Sequence, residues 1–183
     1  MKNVRKLLFA LMLFAIGMNS FAKESKDKSY YVNRYQDPDY LKDNIWSLAN
    51  DDSEIMEAIE KKYIDVNQKD YTGEYLLNLA CEKGNYNLVE YMLSKGAKTS
   101  VSGKYGFSPL HHAAYSKTKE SLEIVKFLVE KGANVNASSD EGYTPLILAG
   151  YNEVNGFEII KFLVSKKAKI NAKTKEGCNV GMA

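Results

Sequence analysis

The chain has 183 residues, of which 45% are hydrophobic and 26% are charged, so it can form one domain with a substantial core but not a second large domain. Its formal net charge is only +2, and its two arginines, Arg5 and Arg34, offer little for bidentate phosphate or base recognition. Nucleic-acid binding is therefore not expected, because nucleic-acid-binding domains usually concentrate a stronger basic stripe.

Residues 1–22 have the pattern of a secretory signal peptide. Basic residues come first, an apolar run follows, and small residues end the segment: Lys2, Arg5 and Lys6, then 7–16, then Ser20 and Ala22. We expect cleavage after Ala22, because the cleavage site accepts little side-chain volume. The alternative is an uncleaved membrane anchor, but the apolar run is only about half of the ~20 residues that a spanning helix needs.

Removal of this segment changes the charge of the chain. Residues 1–22 hold three of the 25 basic residues and none of the 23 acidic ones, so the remainder has 22 basic and 23 acidic residues and a formal net charge of −1. The signal predicts a periplasmic or secreted protein without stable membrane insertion after cleavage, and its compact basic start favours a bacterial periplasm. Residues 23–39, charged at first and then rich in tyrosine, are predicted to form a flexible linker.

The rest of the sequence repeats with a period of about 33 residues. Aligned glycines begin four similar segments, which are GEYLLNLACEKGN at Gly73, GFSPLHHAAYSKT at Gly106, GYTPLILAGYNEV at Gly142 and a short GCNVGMA at Gly177. Their spacings are 33, 36 and 35 residues. The first three are each followed by an apolar helix-like run, at 87–98, 122–136 and 157–171, so these units predict two helices separated by short polar loops.

These units resemble ankyrin repeats, in which G-x-TPLH-x-AA, a short loop, an apolar outer helix and G-A-x-V-N recur in order. The resemblance covers a degenerate first repeat at 40–69, three repeats at 70–102, 103–138 and 139–173, and a partial terminal unit at 174–183. It implies an all-α solenoid of helix-turn-helix units with hairpin-like loops along one edge. One helix pair cannot bury its own apolar face, so the units must stack.

The residues at the predicted helix starts and ends agree with this fold. Ser108 and Thr144 can accept a hydrogen bond from an orphan N–H at a helix start, and a proline follows each of them. Gly96 and Gly132 lie where an outer helix has to end in a left-handed turn. Small residues keep the inner helices slim, at Ala80, Ala113, Ala114 and Ala149.

Three departures from the pattern affect the expected structure. The first clear repeat has YLLN at 75–78 instead of TPLH, so it lacks both cap and proline and is expected to fray more readily. Repeats two and three carry insertions of about three and two residues between their helices. The chain also stops where the last inner helix would begin, which leaves Ile160, Phe162 and Leu163 to be covered by the terminal residues, by self-association or by a partner.

The adjacent histidines His111 and His112 are expected to be structural rather than reactive. His111 falls on the histidine of the TPLH motif, which the resemblance implies bonds to backbone within and between repeats, and His112 is expected to face the concave surface. Neighbours on a helix point about 100° apart, whereas two ligands of one metal prefer spacing near i and i+4. No metal site and no cofactor are predicted.

The sequence also predicts no catalytic site. Cys81 falls at a small inner-helix position and is expected to be a buried, inert thiol, while Cys178 lies three units away, too far for an intramolecular disulfide. Cysteine–histidine catalysis is excluded because His111 is committed to backbone, and Ser108 serves as a helix cap. A free Cys178 that links two chains remains an alternative.

The resemblance instead implies a binding surface on the concave side, formed by loop tips and exposed inner-helix positions. The positions that correspond are Tyr71, Thr72, Glu74, Lys104, Tyr105, Phe107, His112, Tyr115, Asp140, Glu141, Tyr143 and Tyr151, together with Glu82, Lys83, Lys175 and Glu176. The set is rich in aromatic residues, which often anchor protein interfaces.

The predicted function is non-catalytic binding of another protein in the periplasm. A first alternative is a secreted effector or inhibitor-type binder that acts on a host or competitor protein. A second is a metal or small-molecule binder, for which the sequence shows neither clustered ligands nor a closed pocket.

Overall fold

A computed structural model describes residues 52–70 and 72–182 of the chain. The predicted signal peptide, the predicted linker, the beginning of the degenerate first repeat and Tyr71 lie outside these residues. The described part contains seven α-helices, which are α1 (Asp52–Glu60), α2 (Leu76–Glu82), α3 (Tyr86–Ser94), α4 (Pro109–Tyr115), α5 (Ser121–Glu130), α6 (Pro145–Ala149) and α7 (Gly156–Ser165). Two short 3₁₀ turns lie at Lys104–Gly106 and Val180–Met182.

The helices form two stacked rows. The inner helices α2, α4 and α6 pack in succession, and the outer helices α1, α3, α5 and α7 pack behind them, with each inner helix against the outer helix of its own repeat. The described residues contain no β-strand, and a single antiparallel bridge joins Lys69 to Tyr75. The predicted all-α repeat solenoid is confirmed.

One continuous core runs between the two rows. Its fully buried members include Leu77, Leu110 and Leu146 at equivalent inner positions, while Leu128 and Leu163 lie on outer helices. The alanines that were predicted to keep the inner helices slim are all buried, at Ala80, Ala113, Ala114 and Ala149. Small side chains at these positions allow the neighbouring helices to approach closely, so the apolar faces of successive repeats form one seam.

A hairpin-like loop precedes each of the three inner helices, and a fourth precedes the terminal 3₁₀ turn. All four hairpins close in the same way. The backbone N–H of the first residue donates to the carbonyl four residues later, at Asp70, Gly103, Ser139 and Thr174, over 2.8–2.9 Å. The aligned glycines Gly73, Gly106, Gly142 and Gly177 all have φ between +78° and +86°. A β-carbon is unfavourable in this left-handed conformation, which explains why glycine recurs with the repeat period.

The predicted helix caps form in different ways in the three repeats. The Thr144 hydroxyl accepts a hydrogen bond from the Ile147 N–H, as expected for a cap. In the preceding repeat, the His111 ring accepts from the Ser108 N–H. The first repeat has no cap of its own, but the Glu74 carboxylate accepts from the Tyr75 N–H and from the Asn78 amide. The cap that this repeat lacks in sequence is thus replaced by a carboxylate one residue earlier.

Asn152, in the loop between α6 and α7, ties two successive repeats together. Its side-chain amide donates to the carbonyls of Ala114 and Ser116, at 3.1 and 2.7 Å, and to the Ser121 hydroxyl. Its side-chain oxygen accepts the backbone N–H groups of residues 154 and 155. The inserted residues of repeat three therefore form an ordered connection to repeat two rather than a simple extension of the turn.

The apolar face of the last outer helix is covered in part. Leu163 is fully buried, and Ile160 and Phe162 are half-buried against the core. The 3₁₀ turn at Val180–Met182 packs against α6 and covers the inner row. Other apolar residues of the last repeat remain exposed, at Val154, Phe157, Val164 and Ile170.

Lys167 occupies the left-handed position that ends α7, where the preceding outer helices have Gly96 and Gly132. All three residues donate their N–H to the carbonyl three residues earlier. We expect Lys167→Gly to raise the free energy of unfolding by about 0.5–1 kcal/mol, because glycine adopts this conformation without strain. Chemical denaturation measures the change.

The matched reverse substitution is Gly132→Ala, which should lower the free energy of unfolding by about 1 kcal/mol. No atom lies within 4 Å of the added β-carbon, so backbone strain is the only cause. Equal effects of the same sign for the two variants would contradict the assignment.

Candidate partner-binding surface

Among the predicted contact aromatics that the structure describes, the most exposed is Tyr105, in the second hairpin. Its side chain is 61% exposed, and its backbone has φ +57°, which is unusual for a tyrosine. The Lys104 ammonium lies 4.9 Å from the centre of the Tyr105 ring, and the Tyr105 carbonyl accepts the Asp140 N–H at 3.0 Å. Neighbouring backbone thus holds an aromatic side chain in solvent in a strained conformation.

Two further exposed tyrosines, Tyr115 and Tyr151, occupy equivalent positions in successive inner helices. Tyr115 is the last residue of α4 and is 46% exposed, and Tyr151 follows α6 and is 37% exposed. Each residue lies just beyond small, buried residues that pack the inner row. Together with Tyr105 they form the exposed tyrosine set of the inner side.

Several of the predicted contact residues are not free surface residues, among them Glu74, Phe107 and Tyr143. Glu74 is only 8% exposed, and its carboxylate is used inside the first repeat, so its assignment as an exposed contact is wrong. Phe107 and Tyr143 are half-buried and pack against the core, with their ring centres 6.3 Å apart. The aromatic character of this surface is therefore partly structural.

Glu74 also explains a glycine that breaks the repeat pattern. Ser139 and Thr174 use their hydroxyls to accept the N–H four residues later, but the corresponding residue of the second hairpin is Gly103, which has no side chain. A β-carbon on Gly103 would collide with the Glu74 carboxylate and the Asn78 amide. The buried carboxylate therefore requires the glycine, and a single repeat read alone would not reveal this.

His111 has the structural role that was predicted for it. Its Nε2 donates to the Tyr143 carbonyl of the next repeat at 2.9 Å, and its Nδ1 therefore accepts from the Ser108 N–H and hydroxyl at 3.1 and 2.8 Å. The side chain is fully buried. Burial lowers the pKa of His111 to about 4, against the opposing effect of the Tyr143 carbonyl, so the ring is neutral at pH 7.

His112 lines the concave side, where the sequence placed it, but its side chain is mostly buried between two carboxylates. Its Nδ1 donates to Glu82 at 3.3 Å, and its Nε2 lies 3.7 Å from Glu74, within ion-pair range but beyond hydrogen-bond length. Burial lowers the pKa of His112, but Glu74 and Glu82 outweigh this effect and raise it to about 9. The same contacts hold the carboxyl pKa of Glu82 below its ordinary value. The carboxyl pKa of Glu74 is also lowered, although burial alone would raise it.

A concave cavity of about 250 Å³ lies beside His112. Its walls come from α2, α4 and α6 and are formed by Glu82, Phe107, His111, His112, Tyr115 and Leu148. Rings and aliphatic carbon make up most of this lining, and the Glu82 carboxylate is partly exposed at its edge. The sequence placed Glu82, Phe107, His112 and Tyr115 on this side, but His111 and Leu148 were missed because both belong to motif positions that face the core.

The remaining predicted contacts lie near the hairpin tips. Thr72 is exposed and donates its hydroxyl to Asp70, while Asp140 and Glu141 are exposed at the third hairpin. Lys175 of the terminal hairpin lies 3.4 Å from the Glu141 carboxylate, and both side chains are largely in solvent. Lys83 is half-buried at the end of α2 and interacts electrostatically with Glu82.

The two cysteines are not joined to each other by a disulfide. Cys81 is fully buried, and burial raises its thiol pKa far above the ordinary value. Cys178 is half-buried in the terminal hairpin. Within residues 52–70 and 72–182, no three histidine, cysteine or acidic side chains form a group that could hold a metal ion. None of the helices in these two ranges is both long and apolar enough to span a bilayer.

Comparison with known proteins supports the repeat assignment. A family model of ankyrin repeats, which comprises three copies, matches residues 45–139 and 118–174. The chain is 38% identical over 72 residues to the human transient receptor potential cation channel subfamily A member 1, which is 39% of this chain and 6% of the channel subunit. It is 41% identical over 66 residues to the Drosophila melanogaster E3 ubiquitin-protein ligase Ufd4, which is 36% of this chain and 2% of the ligase. The chain thus spans only a small part of these relatives.

Proposed function

Because the chain belongs to the ankyrin-repeat family, whose repeats are protein–protein interaction modules and are generally non-catalytic, we propose that it binds a partner protein through its concave face and hairpin tips. The partner is held non-covalently, and the chain has no catalytic role of its own. The channel subunit and the ligase named above share only the repeat region with this chain, so their activities are not carried over.

The observation that carries this proposal is the exposed tyrosine set of Tyr105, Tyr115 and Tyr151. These rings stay in solvent although two other predicted contact aromatics, Phe107 and Tyr143, are packed against the core. A tyrosine offers a large apolar ring, a hydroxyl and few torsions to freeze, which suits it to anchor an interface. The strained backbone at Tyr105 further supports a role in recognition, because unfavourable conformations persist most often at functional positions.

Replacement of Tyr105, Tyr115 and Tyr151 by serine together should abolish partner capture and leave the melting temperature nearly unchanged. Affinity capture from periplasmic extract and from culture medium, with the bound protein quantified by mass spectrometry, measures the first effect. Circular dichroism measures the second. Phe107 and Tyr143 are unsuitable for this test, since their substitution would also damage packing.

The matched control is Phe157→Ser on the outer helix α7. This phenylalanine is 74% exposed, more than any of the three tyrosines, but it lies on the opposite row of helices. Capture should survive in this variant. If the triple tyrosine variant still captures the same partner, the recognition surface lies elsewhere and the proposal fails.

We also propose that the protein is exported and works in the periplasm. The support is the sequence of residues 1–22, with its basic start, apolar run and small residues before Lys23. Mass spectrometry of the mature protein should show Lys23 as the first residue, and cell fractionation should recover it with periplasmic markers. Recovery in the medium instead would favour the secreted effector or inhibitor-type binder, and an uncut chain in the membrane fraction would favour the anchor.

Self-association through the C-terminal end is a separate proposal. It is supported by the exposed apolar side chains of the last repeat, among them Phe157 and Val164, which lie two turns apart on α7. Analytical ultracentrifugation should then show a concentration-dependent dimer that Phe157→Ser weakens. A monodisperse monomer at high concentration would remove this proposal and leave partner binding unaffected.

A further inference from the structure

The cavity of about 250 Å³ on the concave side has the size of a site for one side chain. Small-molecule sites typically enclose about 300–1,000 Å³, so this cavity is below that range. It is open to the surface that the proposed function assigns to the partner, and Tyr115, one of the exposed tyrosine set, forms part of its wall. A single residue projecting from a partner segment fits these dimensions better than a separate small ligand.

The charge beside this cavity is negative in every protonation state of His112 at neutral pH. The carboxylates of Glu74 and Glu82 share one imidazole, so the group carries −1 when the ring is protonated and −2 when it is neutral. Glu82 is the carboxylate that lines the cavity, and its side chain is 39% exposed. Lys83 interacts with Glu82 but is not part of the lining.

The remaining lining favours a cation with an apolar stem. Phe107 and Tyr115 contribute aromatic rings, which can attract cations over their faces, and Leu148 contributes aliphatic carbon. An acidic side chain would meet the Glu82 carboxylate there, with like charge. A purely apolar side chain would desolvate the Glu82 carboxylate without offering it a hydrogen-bond or ion-pair partner, which is unfavourable. Lysine and arginine have both the aliphatic stem and the charged head that these walls require.

We propose that this cavity binds a basic side chain, lysine or arginine, of the partner protein, with its charged head at Glu82 and its stem between Phe107, Tyr115 and Leu148. The assignment rests on the proposed function and adds to it the chemistry of the residue that the partner inserts. It defines a basic segment as the epitope that this repeat array recognises.

The test uses blocked amino acids as probes and nuclear magnetic resonance of the ¹⁵N-labelled protein as the readout. N-acetyl-lysine methylamide or its arginine analogue should shift the resonances of Glu82, Phe107 and Tyr115 saturably, with millimolar affinity. The norleucine analogue, which keeps the aliphatic stem and lacks the charge, should bind at least about fivefold more weakly than the lysine probe. The glutamate analogue should give no saturable shift of these resonances.

Glu82→Gln keeps the shape of the side chain and should weaken lysine binding about fivefold. Glu90→Gln, an exposed carboxylate on the outer helix α3, is the matched control and should leave binding unchanged. Spectra of both variants away from the substituted position should overlay that of the unaltered protein, which verifies the fold.

Four results would overturn the assignment: no saturable shift with either basic probe, equal or tighter binding of norleucine, preference for glutamate, or unchanged lysine binding in Glu82→Gln. The outcome is separable from that of the proposed function. If the basic probes fail but the triple tyrosine variant loses its partner, the interaction surface stands and only the side-chain specificity is wrong. If the probes bind at Glu82 but the triple variant keeps its partner, the cavity stands and the tyrosine surface is wrong.

Discussion

Asn152→Ala is expected to lower the free energy of unfolding by about 2–4 kcal/mol, the largest loss for any single polar side chain in the inter-helix loops. The Asn152 amide donates to the Ala114 and Ser116 carbonyls, and both it and those acceptors lie in a buried region. Alanine leaves these carbonyls and the N–H groups of residues 154 and 155 without their partners. An unsatisfied buried group costs more than the net value of the bond it has lost.

Urea denaturation followed by circular dichroism measures this loss. Asn171→Ala is the matched control, since Asn171 is exposed in the last loop, and its free energy of unfolding should change by less than about 0.5 kcal/mol. Loss of the Asn152 hydrogen bonds should also make α6 and α7 unfold separately from the preceding repeats, because Asn152 joins repeat three to repeat two. A loss as small as that of the control would show that water replaces the side chain in this loop.

The second large effect is a stability maximum near pH 6.5 that comes from two adjacent histidines with opposite pKa shifts. The pKa of His112 is raised from 6.5 to about 9, so its contribution is fully present below pH 6.5 and is lost as the pH rises through 9. The pKa of His111 is lowered from 6.5 to about 4, so stability falls as the pH drops from 6.5 toward 4. Each limb should amount to about 2–3 kcal/mol.

Glu74 and Glu82 add to the acid limb. Their carboxyl pKa values lie below the ordinary 4.5, so the stability they contribute is present above that pH and is lost as the pH falls below it. The contacts of the two carboxylates with His112 are the same ones that raise the His112 pKa, so their contribution to the free energy of unfolding is not counted twice. The acid limb therefore has two sections, one from His111 between pH 6.5 and 4 and one from the carboxyls at lower pH.

Denaturation midpoints at a series of pH values between 4 and 10 test this profile. His112→Gln should remove most of the alkaline limb and the carboxyl section of the acid limb, and should leave the His111 section between pH 6.5 and 4 in place. His111→Asn should remove that section and leave the alkaline limb. Asparagine is the suitable replacement, because Asn78 already fills the same position in the preceding repeat and donates to the Phe107 carbonyl. An alkaline limb that persists in His112→Gln would show that another group causes it.

The repeat architecture could be predicted from the sequence because its determinants are local and periodic. Gly96 and Gly132 recur where a left-handed residue must end the outer helix, and both have φ near +90°. Pro109 and Pro145 recur at helix starts, and α4 and α6 begin at them. Each feature depends on a few neighbouring residues, so alignment of one unit with the next is sufficient to reveal it.

Departures from the repeat could not be predicted, since each depends on a contact between repeats. Glu74 falls at the position of Phe107 and Tyr143 in the alignment, which suggested an exposed tip residue, yet it is buried against Asn78 and Gly103. Asn152 looks like an ordinary loop residue, and its role appears only when the preceding repeat is packed beside it. Side chains that bridge repeats have partners 29 or more positions away.

The candidate surface was predicted in outline but not in detail. Tyr105, Tyr115 and Tyr151 are exposed where the sequence placed them, because hairpin tips and the ends of inner helices project from the stack. Phe107 and Tyr143 have the same side-chain chemistry but precede a helix start, where the ring turns onto the core. Aromatic composition alone does not distinguish the two situations.

The hairpin tips are connected to one another through their backbones. The Asp140 N–H donates to the Tyr105 carbonyl of the second hairpin, and the Lys175 N–H donates to the Glu141 carbonyl of the third. The second, third and fourth tips consequently behave as one preorganised edge whose loops have already lost most of their conformational entropy on folding. Association should then proceed close to rigid-body docking, with affinity limited by how well the partner matches a fixed template rather than by loop ordering.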